Sequence, residues 1–132
     1  MTAVMTPRQT KYCTAIERAL ALVGHATNAE LLSVMRREFP ELSPTTVHRA
    51  TTRLAQRGKI AIAPPDKDGS MRYDGNIKPH DHFVCNSCGL LHDTDVKDAV
   101  VPTLEAAIAG CSISGRLTIG GICKNCNDMG VM

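Results

Sequence analysis

The chain has few aromatic residues and no extended apolar run. Its 132 residues include no Trp, two Tyr and two Phe, although 43% of them are hydrophobic. The core must therefore consist mainly of aliphatic side chains and Ala. No stretch approaches the length that spans a membrane, and the N-terminus lacks the apolar segment of a signal peptide. We expect no membrane association and a cytoplasmic location, where cysteine thiols stay reduced and bind metal rather than form disulfides.

Four of the six cysteines form two pairs with the spacing of metal ligands. The pairs are Cys85-x-x-Cys88 and Cys123-x-x-Cys126. Each pair can present two thiolates from a tight turn, and four thiolates complete the tetrahedral shell of one zinc ion. A redox dithiol needs only one pair, so we predict structural Zn²⁺ at this site. Cys13 and Cys111 stand outside the pattern, and we expect both to be small core residues.

Imidazoles lie directly upstream of the first cysteine pair. His80 and His82 are two residues apart, so on a β-strand both rings lie on one face and can bind the same ion. Further candidate ligands are the side chains of His25, Asp74, His92, Asp93 and Asp95. A mixed set of imidazoles and carboxylates suits Fe²⁺ or Mn²⁺ better than a thiolate set does, although Zn²⁺ also binds such a set. The sequence thus predicts a second metal site of different chemistry.

Periodicity and capping residues, among them a capping box at Thr27–Glu30 and an N-cap at Ser43, predict an α+β fold with two parts. In the first part we expect three helices and then a hairpin, at about 11–23, 27–39, 43–57, 60–63 and 70–74. This order is the layout of a winged helix-turn-helix domain. In the second part we expect strands near 82–85, 90–93 and 116–121, with a helix near 96–109. The predicted domains are residues 1–75 and 80–132, and residues 76–79 form a hinge between them.

Charge is distributed unevenly between the two parts. Residues 1–75 carry eleven Lys/Arg against seven Asp/Glu, a net charge of +4, and residues 76–132 carry four against six, a net charge of −2. A basic first part and an acidic second part containing Cys and His suit a nucleic-acid reader joined to a metal-binding module. Chance asymmetry is the alternative explanation.

The third predicted helix has an apolar side and a basic side. Val47, Ala50 and Leu54 share one side, whereas the other carries longer polar residues. A helix with this division can rest on a core while it enters a DNA major groove, although a solvated polar face has the same pattern. We predict contacts to double-stranded DNA from Arg49, Thr52, Arg53 and Gln56, and from the hairpin residues Lys67 and Arg72.

These motifs together resemble the ferric uptake regulator family, and within it the peroxide-sensing branch. The resemblance begins at Thr6-Pro7, and its most specific elements are the run from His80 to Gly89 and the distal Cys123-x-x-Cys126. It implies a homodimeric, metal-dependent repressor with an N-terminal winged helix and a C-terminal α/β dimerisation domain. By position, it implies regulatory metal ligands at His25, Asp74, His80, His82 and Asp93.

Both carboxylates of this implied site are aspartates, as is typical of the peroxide-sensing branch. The resemblance then implies that bound Fe²⁺ reacts with hydrogen peroxide, that His25 or His82 is oxidised, and that metal and DNA are released. Mn²⁺ is expected to support repression without this reaction. We predict a peroxide-responsive repressor, and the alternative is a metal-uptake regulator for iron, manganese, zinc or nickel. A zinc hydrolase is disfavoured because the cysteine set is closed and no HExxH helix is present, so we predict no enzymatic activity.

Overall fold

The computed structural model describes residues 7–130, so Thr6, where the family resemblance begins, lies outside the described residues. The chain divides into two compact units. The first contains the chain up to Pro65 together with Gly69–Ile77, and the second contains Asp66–Asp68 and the chain from Lys78 onward. None of the helices described is long and apolar enough to cross a membrane.

The first unit is built on three helices, α1 (Pro7–Val23), α2 (Asn28–Met35) and α3 (Pro44–Gln56). The start of α2 is the predicted capping box: the Thr27 hydroxyl accepts the Glu30 amide, and the Glu30 carboxylate accepts the Thr27 amide. Ser43 caps α3 by accepting the amide of Thr46, and Pro44 follows at the position where a helix needs no N–H donor.

A small antiparallel sheet completes the first unit. Its strands are β1 (His25–Thr27), β2 (Ala61–Ala63) and β3 (Arg72–Asp74), and β3 lies in the centre. The core between the helices and this sheet is mainly aliphatic, with Tyr12 and Tyr73 as its buried aromatic residues. This confirms the composition expected from the scarcity of aromatic residues.

The second unit contains a three-stranded sheet and two helices. Its strands are β4 (Asp81–Cys85), β5 (Leu91–Thr94) and β6 (Thr118–Gly121), and its helices are α4 (Lys97–Ala107) and α5 (Lys124–Asp128). Strand β4 is central, antiparallel to β5 and parallel to β6. Parallel neighbours require a long crossover connection, and the segment containing α4 supplies it.

Some predicted features differ from the structure. Helix α1 begins at Pro7 rather than Lys11, and α2 ends at Met35 rather than near Phe39. Beyond Met35 the amides of Arg37 and Glu38 bond to carbonyls three residues back instead of four, so the α-helical pattern stops. Strand β1 and helix α5 were not predicted. Cys13 is buried as expected, but the prediction for Cys111 is wrong: its side chain follows the end of α4 and is exposed.

Candidate metal sites

The four paired cysteines converge in the second unit. Their sulfur atoms all lie within 4.8 Å of one another, and the Sγ atoms of Cys88 and Cys123 are 3.8 Å apart. Tetrahedral zinc with Zn–S bonds of about 2.3 Å requires sulfur atoms about 3.8 Å apart. Cys85, Cys123 and Cys126 are buried, and Cys88 is exposed. The residues fit a closed structural zinc site.

Backbone amides prepare this cluster for negative charge. The amides of Cys88 and Cys123 donate to Cys85 Sγ at 3.4 and 3.3 Å, and the Cys126 amide donates to Cys123 Sγ at 3.4 Å. The two amides lower the pKa of Cys85 to about 6, whereas hydrogen bonding to Cys123 and burial raise the pKa of Cys126 to about 12. Zinc binding must therefore displace the protons of thiols with a raised pKa, such as that of Cys126.

Two histidines, one just before β4 and one on it, meet an aspartate of β5. His82 pairs with Asp93 across the two strands, and the Nε2 atoms of His80 and His82 both lie 3.4 Å from Asp93 Oδ1. The two imidazole centroids are 4.4 Å apart. The two histidines of the predicted HxH pair therefore lie together within the second unit, with a carboxylate beside them.

One ring of this group is already oriented for metal. Nδ1 of His80 lies 2.6 Å from the Lys78 carbonyl oxygen. A carbonyl only accepts hydrogen bonds, so Nδ1 carries the proton and Nε2 is left as the ligand atom. Metal-binding histidines commonly use their second nitrogen in this way, which fixes both tautomer and ring direction.

The first unit contributes a second, smaller group. His25 on β1 is the register partner of Asp74 on β3, and His25 Nε2 lies 3.4 Å from Asp74 Oδ2. Backbone geometry holds the pair, because the Gly75 amide bonds to the Gly24 carbonyl and a Cβ on Gly75 would lie 3.0 Å from the Leu20 carbonyl oxygen. Both groups offer imidazole and carboxylate ligands of the kind that Fe²⁺ and Mn²⁺ accept.

The third helix has the two sides predicted for it. Its buried residues are Val47, Ala50, Thr51 and Leu54. Among the predicted DNA contacts, Arg49, Gln56 and Lys67 are exposed, and Thr52 and Arg53 are half-buried. Burial raises the pKa of the Cys13 thiol, and the Arg53 guanidinium partly offsets this rise.

Arg72 was predicted to contact DNA, but in the structure its side chain is bonded to the protein backbone. Its side chain is 8% exposed, and its guanidinium donates to the carbonyl oxygens of Pro64 and Pro65 at 2.9 and 2.8 Å. These bonds brace the chain where it leaves β2. We therefore remove Arg72 from the set of residues expected to touch DNA.

Asp81, which sequence reasoning overlooked, begins β4 and lies between His80 and His82. Its side chain is buried and accepts the amides of Val96, Lys97 and Leu117. Burial raises the pKa of Asp81, but these amides and the Arg116 guanidinium outweigh burial and hold its pKa below the usual value. The local signal in the sequence was an acidic residue between two histidines, a position at which a strand directs the side chain to the other face.

Comparisons with known proteins agree on a family. The model of the ferric uptake regulator family matches residues 4–112, so the second cysteine pair lies beyond the matched region. The peroxide operon regulator of Bacillus subtilis is 26% identical over 114 residues, covering 85% of this chain and 78% of that protein. The peroxide-responsive repressor PerR of Staphylococcus saprophyticus is 27% identical over 106 residues, covering 79% of this chain and 71% of that protein.

Solved structures show the same fold. The Helicobacter pylori ferric uptake regulator has a TM-score of 0.73 at 20% identity, covering 89% of this chain and 80% of that chain. The Campylobacter jejuni peroxide stress regulator has a TM-score of 0.69 at 24% identity, covering 90% and 91%. At these identities the likeness concerns the fold alone.

Proposed function

The chain belongs to the ferric uptake regulator family, and we propose that it is a DNA-binding repressor that depends on a regulatory metal and responds to hydrogen peroxide. The observation that carries this proposal is the presence of histidine–aspartate ligand groups separate from the four-cysteine cluster. A closed thiolate site serves as a structural staple. Regulation then falls to the imidazole and carboxylate ligands, whose preferred ions exchange more readily.

One Fe²⁺ or Mn²⁺ ion is proposed to take ligands from both groups. The first unit offers His25 and Asp74, and the second offers His80, His82 and Asp93. Neither group alone supplies the five protein ligands implied by the family resemblance. An ion that draws on both would favour one arrangement of the DNA-binding part, so metal binding would shift the population toward the DNA-binding state.

DNA recognition is assigned to a winged helix-turn-helix domain formed by the three helices and the β2–β3 hairpin. Helix α3 supports this assignment because it is capped at its start, packs through one side and exposes Arg49 and Gln56 on the other. We assign base-edge or phosphate contacts to these two residues and to Thr52 and Arg53. Lys67 is assigned a phosphate contact.

A homodimer is proposed to form through the second unit. No residue of α4 is buried. Leu104 on α4 and Ile108 directly after it are 40% and 47% exposed, and Ile119 on β6 is 41% exposed. Apolar surface of this kind on a small unit favours association with a matching surface. Symmetry-related copies would cover one another, which suits a repressor that binds a two-fold symmetric operator.

The peroxide response rests on both carboxylate ligands being aspartates and on relatives that are peroxide regulators at 26 and 27% identity. Bound Fe²⁺ would supply the reducing chemistry for peroxide beside the ligand imidazoles. The net change proposed is the addition of one peroxide oxygen to His25 or His82, while the other oxygen leaves as water. An oxidised ring is a poorer ligand, so metal and DNA would be released.

Operator binding with each metal, before and after peroxide, tests this function. The Fe²⁺-loaded protein is expected to lose DNA at low peroxide and to gain one oxygen on His25 or His82 by mass spectrometry, whereas the Mn²⁺-loaded protein keeps DNA. Asp93→Glu should blunt the response and preserve metal-dependent binding. Iron-loaded protein that stays on DNA with unmodified histidines would instead identify a metal-uptake regulator.

A further inference from the structure

An ionic network that includes one buried carboxylate lies beside the HxH group. Asp81 is the first residue of β4 and lies between His80 and His82, and strand alternation directs its side chain to the face opposite that of His82. Its carboxylate accepts the amides of Val96 and Lys97 at 2.9 and 2.8 Å, at the start of α4. The residue preceding α4 makes no side-chain cap, and the Asp81 side chain supplies this cap from β4.

Arg116 extends this network to the strand that carries the third ligand. Its guanidinium binds both oxygens of Asp81, through Nε to Oδ1 at 3.1 Å and through NH2 to Oδ2 at 3.2 Å. The same NH2 lies 2.8 Å from Asp95 Oδ1. Asp95 follows β5 and is two residues from Asp93. Arg116 therefore links Asp81, which lies between the two histidines in sequence, to Asp95, which lies two residues from Asp93.

We propose that Arg116, with Asp81 and Asp95, is a clamp that positions His80 and His82 against Asp93 for the regulatory ion. This inference rests on the proposed regulatory metal site. The clamp touches no ligand directly and acts by fixing where the two strands lie relative to each other. Loss of a partner that hydrogen-bonds a metal ligand directly commonly changes metal affinity by roughly 10–100-fold, so an effect passed on through the strands should lie at the lower end of that range.

Charge and positioning predict opposite effects for Arg116. Arg116 is a cation near a cation site, so its long-range electrostatic effect opposes Mn²⁺ binding. Replacing it with a neutral residue of similar length should therefore strengthen Mn²⁺ binding if charge dominates. The clamp instead requires weaker binding, because the β4 and β5 ligands lose their common anchor. The sign of the change separates the two explanations.

The experiment measures Mn²⁺ affinity of the full-length, zinc-loaded protein by titration, with zinc content and thermal unfolding without Mn²⁺ as structural readouts. Arg116→Met is expected to weaken Mn²⁺ binding roughly tenfold. Arg116→Lys keeps the charge but loses the two-pronged geometry, and we expect a smaller loss. Asp95→Asn changes a clamp side chain that is 81% exposed. Its control is Asp98→Asn, which removes an equal charge from the exposed surface of α4, outside the clamp. We expect Asp95→Asn to weaken Mn²⁺ binding more than Asp98→Asn does.

Unchanged or tighter Mn²⁺ binding by Arg116→Met with normal zinc content would overturn the clamp. If that variant loses zinc, the comparison between Asp95→Asn and Asp98→Asn decides, and equal effects would overturn the clamp. Wild-type protein that binds no Mn²⁺ would overturn the regulatory site itself, and the clamp's role with it. If the wild-type protein binds Mn²⁺ and both Arg116→Met and Asp95→Asn bind it more weakly, the result supports the positioning role and not the charge effect.

Discussion

Loss of one zinc ligand is expected to unfold the second unit and leave the first folded. The second unit depends on the cysteines because its buried apolar side chains, among the residues described, are those of Cys85, Cys123 and Cys126. Phe83 and Ile122 are partly buried against this cluster. The first unit, by contrast, has an extended aliphatic core of its own.

The two stabilising effects in this cluster differ in size. Full burial of a side chain such as Phe or Ile contributes about 1.5–3 kcal/mol, so Phe83 and Ile122 together contribute at most about 6 kcal/mol. Binding of structural zinc contributes roughly 10–16 kcal/mol in small zinc domains. Loss of the ion therefore removes more stabilisation than the apolar contacts supply. Helix α4 buries no residue that makes up the difference.

Cys88→Ser is the most informative perturbation, because Cys88 is the exposed ligand and its replacement leaves no cavity. Zinc content should fall by about one ion per chain, and hydrogen exchange should lose protection in residues 80–130 while residues 11–56 stay protected. Cys111→Ser is the matched control, since Cys111 is exposed in the same unit and outside the cluster. A Cys88→Ser protein with normal zinc content and wild-type protection would refute the reasoning.

Two further predictions concern DNA binding. His80→Ala should abolish the Mn²⁺-stimulated part of operator affinity in an anisotropy assay, because it removes half of the HxH chelate while zinc content stays normal. Equal stimulation in the variant would exclude His80 as a ligand. Arg49→Ala should cost on the order of 1–3 kcal/mol in operator affinity if the side chain reads a base edge. A uniform loss over all sequences with a shallower salt slope would assign it to phosphate, and no loss would remove it from the interface.

The sequence was most informative where chemistry is local. Cysteine pairs, an HxH run on a strand and caps such as Thr27 and Ser43 act over two to four residues, so their spacing predicts geometry directly. The cysteine cluster and both caps appear in the structure as predicted, and in the HxH run His82 lies on β4 while His80 directly precedes it. The two-residue spacing also predicted that His80 and His82 share one side, and the Nε2 atoms of both lie 3.4 Å from Asp93 Oδ1.

Features that depend on distant parts of the chain were not predictable from spacing. Strand β1 has three residues and no periodicity of its own, and it exists because His25–Thr27 pairs with β3. The sequence predicted Arg72 as an exposed basic residue, because nothing local indicates that its side chain bonds to the carbonyl groups of Pro64 and Pro65. Asp81 and Arg116 are 35 residues apart in sequence, and no local pattern joins them.

Strand β4 explains how one short segment serves three purposes. Its alternation sends His82 toward the regulatory ligands, Asp81 toward Arg116 and the start of α4, and its last residue, Cys85, into the zinc cluster. A shift of one residue in its pairing would exchange these faces, placing the Asp81 carboxylate beside Asp93 and a histidine against the amides of α4. The bonds that Asp81 makes on one face therefore fix the register that the metal ligands need on the other.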